Sequence, residues 1–411
     1  MSRSVNPPPL TQEPTSVLSV HHGVSLGGAP ISLSYQLKEI VKRGKLKVTL
    51  AAHSNEMRKF ICMESGATGI SWPNPVTYIG KVWIGHTKLS SLTHWLHFTW
   101  AIMLFPVSVI LQYLHFLMRP EKAVHLNSAI LLSTALAAKL ARKSIIWHIR
   151  EGALKSRPRA GKFIRSWSDS VICISPLEVA AVNPAPHVKI IYNPINLERF
   201  KKGIHDSTPL RIKYGIPNNA NICLLLGGVD ARKGALEAIE ALKELDKTII
   251  LLIAGQELSP KKGGYHKKVM SVIVKHHLES RVIFTGYIKD TSILVEMTDV
   301  VLFPSLTPHF PRPIYEAWAN QTPVVAFNTD GMNEHIKDGV NGFLVTEQTG
   351  LALGRAINSI FSDPQKSEEM GKQGYQLSIE RTNPEIVGQQ FESILLQSIN
   401  IIRNNNNQKR S

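Results

Sequence analysis

The sequence predicts an α/β protein of two domains, and three observations predict it: chain length, the alternation of strand-like and helix-like stretches, and a polar connector near the middle. At 411 residues the chain exceeds one ordinary core, so two domains of roughly 200 residues each are expected. Short apolar runs alternate with amphipathic stretches through both halves, the pattern of helices layered on mostly parallel sheets. The connector, IYNPINLERFKKG, puts the boundary near residues 199–203.

In the first half, residues 17–21 read as a strand entering a Gly-Gly loop and residues 30–43 as an amphipathic helix, with further strands over 48–52, 123–126, 144–148 and 170–174. The second half restarts with a strand over 222–226 and a helix over 235–244, followed by strands over 249–254, 282–285, 300–303 and 323–326. No solenoid repeat appears. Residues 1–16, with no apolar signal-peptide core, read as a disordered leader, and residues 403–411, RNNNNQKRS, as a disordered tail.

Composition narrows the function classes. With 43% hydrophobic residues the chain is a globular protein. Three scattered cysteines, Cys62, Cys173 and Cys223, fit buried thiols in a reducing compartment and neither a zinc site nor a disulfide framework. The net charge of +16 is uneven: residues 1–200 hold 23 Lys/Arg against 9 Asp/Glu, residues 201–411 hold 24 against 22. A basic first half suits an acidic partner such as a phosphorylated substrate or an anionic membrane. Nucleic acid would fit the charge alone, but no recognised binding module or interleaved aromatic-basic pattern is present.

From Leu89 to Met118 there is no Asp, Glu, Lys or Arg. By length this run spans a bilayer, yet crossing once would separate strands that belong to one sheet, and Pro106 interrupts it. A helix or helix pair over 92–118 lying in the membrane interface, flanked by Lys88, Arg119 and Lys122, is the expectation; a buried core helix pair is the competing reading.

Four segments carry chemistry. Residues 304–345 read as strand end, Pro-rich loop, short helix, apolar strand and Gly turn. A loop feeding a helix start offers free N–H groups and a positive dipole end to an anion such as a diphosphate, and Glu316, one turn in, is placed to grip ribose hydroxyls. In LLLGGVDARKG, Arg232 and Lys233 precede a helix after a strand, where they would neutralise a departing diphosphate; solvated surface cations are an equally good reading. Gly27 and Gly28 follow the first strand, as a close backbone approach or an ordinary turn. SIIWHIRE ends a strand in His148, Arg150 and Glu151, ahead of five cations in eleven residues; His148 also reads as a satisfied histidine beside Trp147. Neither a Walker loop nor a dinucleotide fingerprint is present.

Taken in order, GGAP, VHLNS, IIWHIRE, SDSVICIS, IYNPINLERF, GGVDARKG, LLIAGQE, VIFTGYIKD, TDVVLFPS and RPIYEAWANQTPVVAFNTDGMNEHIKDGVNGFLV resemble glycosyltransferase family 4 over nearly the whole chain. The last segment is the most specific. The resemblance implies the GT-B fold: two Rossmann-like domains facing across a cleft, acceptor on residues 17–200, nucleotide-sugar donor on 201–383, and a helix over 384–402 crossing back to the first domain. It implies Glu316 on the donor ribose, Lys233 on the phosphates, Gly27 and Gly28 near the diphosphate, and a sugar-facing histidine from the His148–Glu151 segment, with His148 and Arg150 as the catalytic candidates. It further implies retention of anomeric configuration, with neither metal nor cofactor. Three positions depart from the family pattern. Pro308 stands where its first glutamate is expected and Pro311 where a glycine is, leaving His309, Phe310 and Arg312 to supply loop N–H groups. Gly228 stands where an arginine is expected, with Arg232 adjacent to Lys233.

The function expected is transfer of a hexosyl unit from a nucleotide diphosphate sugar to a lipid-linked or membrane-associated acceptor in surface glycan or glycolipid synthesis, at the inner face of the membrane. The apolar run and basic first half motivate the acceptor. Loss of the first glutamate motivates the alternative, a non-catalytic nucleotide-binding partner of a membrane glycosylation complex.

Overall fold

The structure is a computed structural model and describes residues 15–23, 27–73, 76–83, 89–255 and 264–408. Lys88, the leader through residue 14, the end of the LLIAGQE segment and residues 409–411 lie outside these. Thirteen strands are found among the described residues, and all pair in parallel. The first sheet holds β1 (Thr15–His21), β2 (Leu46–Ala52), β3 (Thr68–Ser71), β4 (Ala123–Leu126), β5 (Ser144–Ile149), β6 (Ser170–Cys173) and β7 (Val188–Ile190) in the order 3-2-1-4-5-6-7. The second holds β8 (Asn221–Leu226), β9 (Ile249–Ala254), β10 (Val282–Gly286), β11 (Val300–Phe303), β12 (Val324–Phe327) and β13 (Phe343–Val345) in the order 10-9-8-11-12-13.

Parallel strands covered by helices on both faces must be apolar throughout, and β5 and β9 are buried at every position. Each sheet therefore separates two cores. In the first domain one core packs Leu18, Val20 and Trp147. The other packs Val17, Leu33, Ile40 and Ile146 against Val387, Phe391, Leu395 and Ile399 of the Pro384–Gln408 helix. That helix leaves the second domain and completes the core of the first. It runs past residue 402, so residues 403–408 are helical and not a coil.

Apolar side chains along the connector divide between the two domains' cores. Ile191 packs in the first-domain core, whereas Ile195 and Phe200 pack in that of the second. The crossover therefore falls between residues 191 and 195, because apolar side chains inside the polar connector anchor it to the second domain. The outgoing and returning crossings meet where the Ile195 N–H donates to the Thr382 carbonyl (2.9 Å).

The uncharged run forms one continuous helix, Leu92–Leu117, not a pair. Ser91 caps it by accepting from the His94 N–H (3.3 Å), and Pro106 is accommodated at the loss of one backbone bond. Only one stripe is buried: Ala101, Ser108, Val109, Gln112 and Phe116 recur at helical spacing. Fully buried Gln112 clamps that stripe to the domain, accepting from Trp72 Nε1 (3.0 Å) and Thr134 Oγ1 (2.6 Å) and donating to Ser108 Oγ (2.9 Å). The competing core reading fails on the other face, where Trp95, Trp100 and Met103 are 51%, 62% and 68% exposed beside Leu96, Val107, Ile110 and Leu114. A single crossing of a bilayer is incompatible with the topology, since β3 before the helix and β4 after it lie in one sheet.

Phe391→Ala removes a ring with no exposed surface and is expected to destabilise the first domain by about 3–5 kcal/mol. Chemical denaturation followed by tryptophan fluorescence checks this; a loss below about 1 kcal/mol would separate the helix from that core.

Candidate functional site

In both sheets the strand order reverses beside the first strand, at β1/β4 and at β8/β11. Connections that leave in opposite directions open a crevice at the carboxyl ends there. The two crevices face each other across a cavity of about 320 Å³. A larger cavity, about 690 Å³, touches Asn221, Asp299 and Pro323 at the amino ends of the second sheet, the wrong end of the strands for this geometry.

The first-domain wall is Arg150, Glu151 and Gly152, just past β5. Arg150 donates from Nε to Asn127 Oδ1 (2.7 Å), from Nη1 to Asn193 Oδ1 and from Nη2 to Gln36 Oε1 (3.1 Å). These acceptors are neutral. Burial pulls the guanidinium down to about 9, with Glu151 opposing and Arg312 adding to the fall. Glu151 is occupied in turn: it accepts from the N–H groups of Ala129 and Arg150 (both 3.0 Å) and from the Ser128 hydroxyl.

His148 does not reach the cavity. It has no exposed surface, takes the His125 ring at Nδ1 (3.1 Å) and packs near Phe391, with ring centroids 6.0 Å apart. Burial, reinforced by Arg150, holds it well below the usual histidine range, so it is neutral. The position facing the cavity is Arg150, two residues on, where the strand has ended and the chain turns outward. Neutral His148 and His125, the latter accepting from Ser19 (2.9 Å), form its floor.

The second-domain wall is Arg232, Lys233, Thr307, Pro308 and His309. The turn that delivers Lys233 needs Gly234, with φ +71° and a Cβ position 2.0 Å from the Pro304 carbonyl oxygen. His309 Nδ1 lies 2.9 Å from the Thr307 carbonyl, which can only accept, so Nδ1 carries the hydrogen and Nε2 accepts from Lys233 Nζ (2.6 Å). Burial, then Lys233, lowers the His309 pKa to about 4, which keeps that lone pair available at neutral pH. Arg232 is mostly exposed and folded back on Asp230, with Nη2 to Oδ2 at 2.6 Å.

The Pro-rich loop behaves differently from expectation. Phe310 stacks on Tyr315 (5.3 Å, 4°) inside the second core, so its ring serves packing and only its backbone faces outward. The Arg312 N–H is taken by the Phe310 carbonyl (3.0 Å). Among the described residues the N–H groups of His309 and Phe310 donate no hydrogen bond, leaving these two for a ligand. The Arg312 side chain instead crosses the cleft, donating to Ser32 Oγ (2.9 Å), the Pro194 carbonyl (3.1 Å) and Glu316 Oε1 (3.2 Å). It also lies against Gly28, where a Cβ would meet its Cδ at 3.1 Å; Gly27 has open space around its Cβ position. Glu316 is thus 12% exposed and paired with Arg312, and it is not part of the cavity wall.

The family description "Glycosyl transferases group 1" matches residues 206–377. The second domain is therefore similar to group 1 glycosyltransferase domains. Among curated proteins, the chain is similar to the putative glycosyltransferase EpsD of Bacillus subtilis (26% identical, covering 44% of this chain and 47% of that protein). It is similar also to the lipopolysaccharide core biosynthesis glycosyltransferase LpsE of Rhizobium meliloti (26%, covering 45% and 52%). A third relative is the UDP-Gal:alpha-D-GlcNAc-diphosphoundecaprenol alpha-1,3-galactosyltransferase of Escherichia coli (24%, covering 43% and 45%). The matches span about half the length of these relatives. Among solved structures, Anabaena HepE, crystallised with UDP and glucose, superposes with a TM-score of 0.74 at 22% identity over 92% of this chain and 98% of that one. Sucrose-phosphate synthase from Thermosynechococcus elongatus superposes with 0.72 at 20% identity over 94% and 100%. The architecture is the GT-B fold.

Several groups at the edge of this domain went unread in the sequence: Gln36, Asn127 and Asn193, which ring Arg150, and Glu178 of the first domain. Asn127 and Asn193 sit inside segments that resemble the family, yet an asparagine near a strand end also reads as a turn residue. Glu178 is 2% exposed, bonded to Ser175 Oγ (2.5 Å), and meets His309, Phe310 and Met332 across a void of about 10 Å³. Burial raises its pKa to about 7 against the hydrogen bonds it accepts, with Glu334 and Glu151 adding to the rise.

A carboxyl whose folded pKa is raised binds its proton more tightly folded than unfolded, so stability falls as pH rises from the unfolded value of about 4.3 to about 7. Glu178→Gln is expected to flatten that decline and to gain on the order of 2 kcal/mol at pH 8. Denaturation at pH 5 and pH 8 checks this; an equal effect at both would exclude the titration.

Proposed function

We propose that the chain is a retaining glycosyltransferase that moves a hexosyl unit from a nucleotide diphosphate sugar to a lipid-linked or membrane-associated acceptor in surface glycan or glycolipid synthesis. The observation that carries this is the cavity where Arg150 and Lys233 face each other across two parallel-sheet edges, inside a GT-B fold. A diphosphate seated between them is charge-matched without a divalent ion, since fixed cations stabilise charge as it develops. HepE, which binds UDP, and the diphosphoundecaprenol-dependent galactosyltransferase support the donor and acceptor classes.

In the reaction the bond from the anomeric carbon to the phosphate oxygen breaks, and the diphosphate keeps the electron pair. The acceptor oxygen bonds to the same face of that carbon, and its proton passes to the departing phosphate. Arg150 and Lys233 hold the leaving group. His309, neutral and hydrogen-bonded to Lys233, orients the ammonium. Glu316 takes the ribose hydroxyls once they displace Arg312, which then keeps its bonds to Ser32 and Pro194. Lys233→Ala is expected to weaken donor binding about 10- to 100-fold, the cost of one or two charged hydrogen bonds. Calorimetry against a panel of nucleotide diphosphates, with turnover assayed on membranes, checks it. Pro308 favours the second reading, a nucleotide-binding partner without catalysis, and tight binding with no sugar transfer would select that reading.

The acceptor side rests on the Leu92–Leu117 helix. Its unburied face is long and apolar, it begins in a +14 half of the chain, and a monomer rarely exposes so large a patch without a partner. We place it in the interface of an anionic membrane at the cytoplasmic side. Flotation with liposomes containing phosphatidylglycerol should show binding in low salt that weakens near 0.5 M, where the Debye length falls to about 4 Å, and Trp95→Ala with Trp100→Ala should weaken it further. Absence of binding in low salt would overturn the placement.

A further inference from the structure

A second cavity, about 310 Å³, lies in the first domain between Trp83 and the turn from Ser156 to Ala160. Its cations are Arg157 and Arg159, both exposed. Among the described residues neither enters an ion pair, whereas neighbouring Lys155 bridges to Asp330 (2.8 Å). The segment from Gly152 to Ser168 holds five Lys/Arg and no Asp/Glu, so nothing on this turn neutralises them. The apolar side is Trp83, seated edge-on against Phe163 (5.1 Å, 87°).

Its position joins two features that are otherwise separate. The 3-10 turn Gly152–Ser156 starts at the inter-domain cavity, where Gly152 is part of the wall, and ends at this one, where Ser156 is. At a 3-10 rise of about 2 Å per residue the two ends are roughly 8 Å apart. On its other side, Trp83 closes the Thr77–Trp83 helix, which is tied to the apolar helix by Tyr78: its hydroxyl donates to the His94 carbonyl (3.3 Å) and its ring lies 5.8 Å from that of His97. Donor cavity, basic aromatic cavity and apolar helix therefore follow one another along the first domain.

We propose that the cavity between Trp83 and Arg157/Arg159 binds the phosphate or diphosphate head of the amphiphilic acceptor, with its hydrocarbon toward the Leu92–Leu117 helix and its sugar toward Gly152. This rests on the glycosyltransferase reading above and names the acceptor site for it. Two arginines match phosphate oxygens in charge and in fork geometry, and the indole covers the first apolar carbons beyond the head. A free inorganic anion would use the arginines but gain nothing from Trp83 or the helix.

The test uses the full chain and a soluble probe, farnesyl diphosphate, titrated by calorimetry beside inorganic diphosphate and farnesol. The expected result is that farnesyl diphosphate binds more tightly than either control. Arg157→Ala with Arg159→Ala should weaken it about tenfold or more, Arg157→Lys with Arg159→Lys, which keeps the charge but loses the fork, should fall between the wild type and the alanine pair, and Lys233→Ala should leave it within about twofold. Thermal midpoints verify that the variants fold, and both arginines are exposed enough for that to be expected. No binding to the wild type overturns the proposal. So does sensitivity to Lys233→Ala in place of the arginine pair, which would put the probe in the donor cavity. Inorganic diphosphate binding equally well would make this a simple anion site, and farnesol binding equally well a simple apolar one; either overturns it. Donor binding and turnover are measured apart from this titration, so failure of the glycosyltransferase reading would be seen separately.

Discussion

The site depends on one guanidinium largely withdrawn from water. Arg150 carries a charge whose burial is costly unless every N–H finds an oxygen. The oxygens come from three places: Gln36 on the first helix, Asn127 after β4 and Asn193 in the crossover to the second domain. Satisfying one side chain therefore fixes the relative positions of a helix, a strand end and the interdomain connector. Because these acceptors are neutral, the charge is solvated without being cancelled, and Glu151 is shared with Ser128 and Ala129. The residual positive field points into the cavity. What lies beneath fits the same constraint: burial first, then the neighbouring cation, keeps His148 and His125 neutral, and a neutral imidazole can accept at Nδ1 where an imidazolium could not. Phe391 of the returning helix closes that floor against both rings.

Arg312 poses the complementary problem from the other domain. It is bound on the first domain by Ser32, in the crossover by the Pro194 carbonyl and on its own helix by Glu316. The cleft is thus bridged by a side chain that also covers the carboxylate assigned to the ribose. An ion pair between groups 14% and 12% exposed is worth more than a surface pair and less than its Coulomb term, since both ions surrender hydration. Ribose hydroxyls can replace one guanidinium N–H on Glu316 without stripping Arg312 of its other partners, so donor entry needs a local exchange and not an opening of the domains.

How much of this was legible depended on whether the signal was local. Central strands announced themselves because both faces are covered: IIWHI is apolar but for His148, and IILLIA is apolar throughout. The edge strands β3 and β7 were not read, since Thr68–Ser71 and Val188–Ile190 are mostly exposed and carry no apolar run. Lys233, expected from strand–loop–helix order and family likeness, lines the interdomain cavity, whereas Glu316 is paired with Arg312 and is not part of that wall. His148 takes the other reading its sequence allowed, a histidine beside Trp147 with no exposed surface. Phe310 keeps the free N–H expected of it, while its ring stacks on Tyr315, five positions on, which only the folded helix brings parallel to it.

The polar ring about Arg150 was illegible in principle. Gln36 lies 114 positions from its partner and Asn193 lies 43, and an amide carries no sequence signature of the charge it will solvate. The apolar helix is the opposite case. Its composition was unmistakable and its environment was not, because the same residues satisfy a core, a span or an interface. The fold decides between these through Gln112: a glutamine buried on one face and bonded to Trp72, Ser108 and Thr134 pins the helix flat along the domain, and strands of one sheet before and after it forbid a single crossing. A helix held that way has only its outer face to offer, and that face carries the tryptophans.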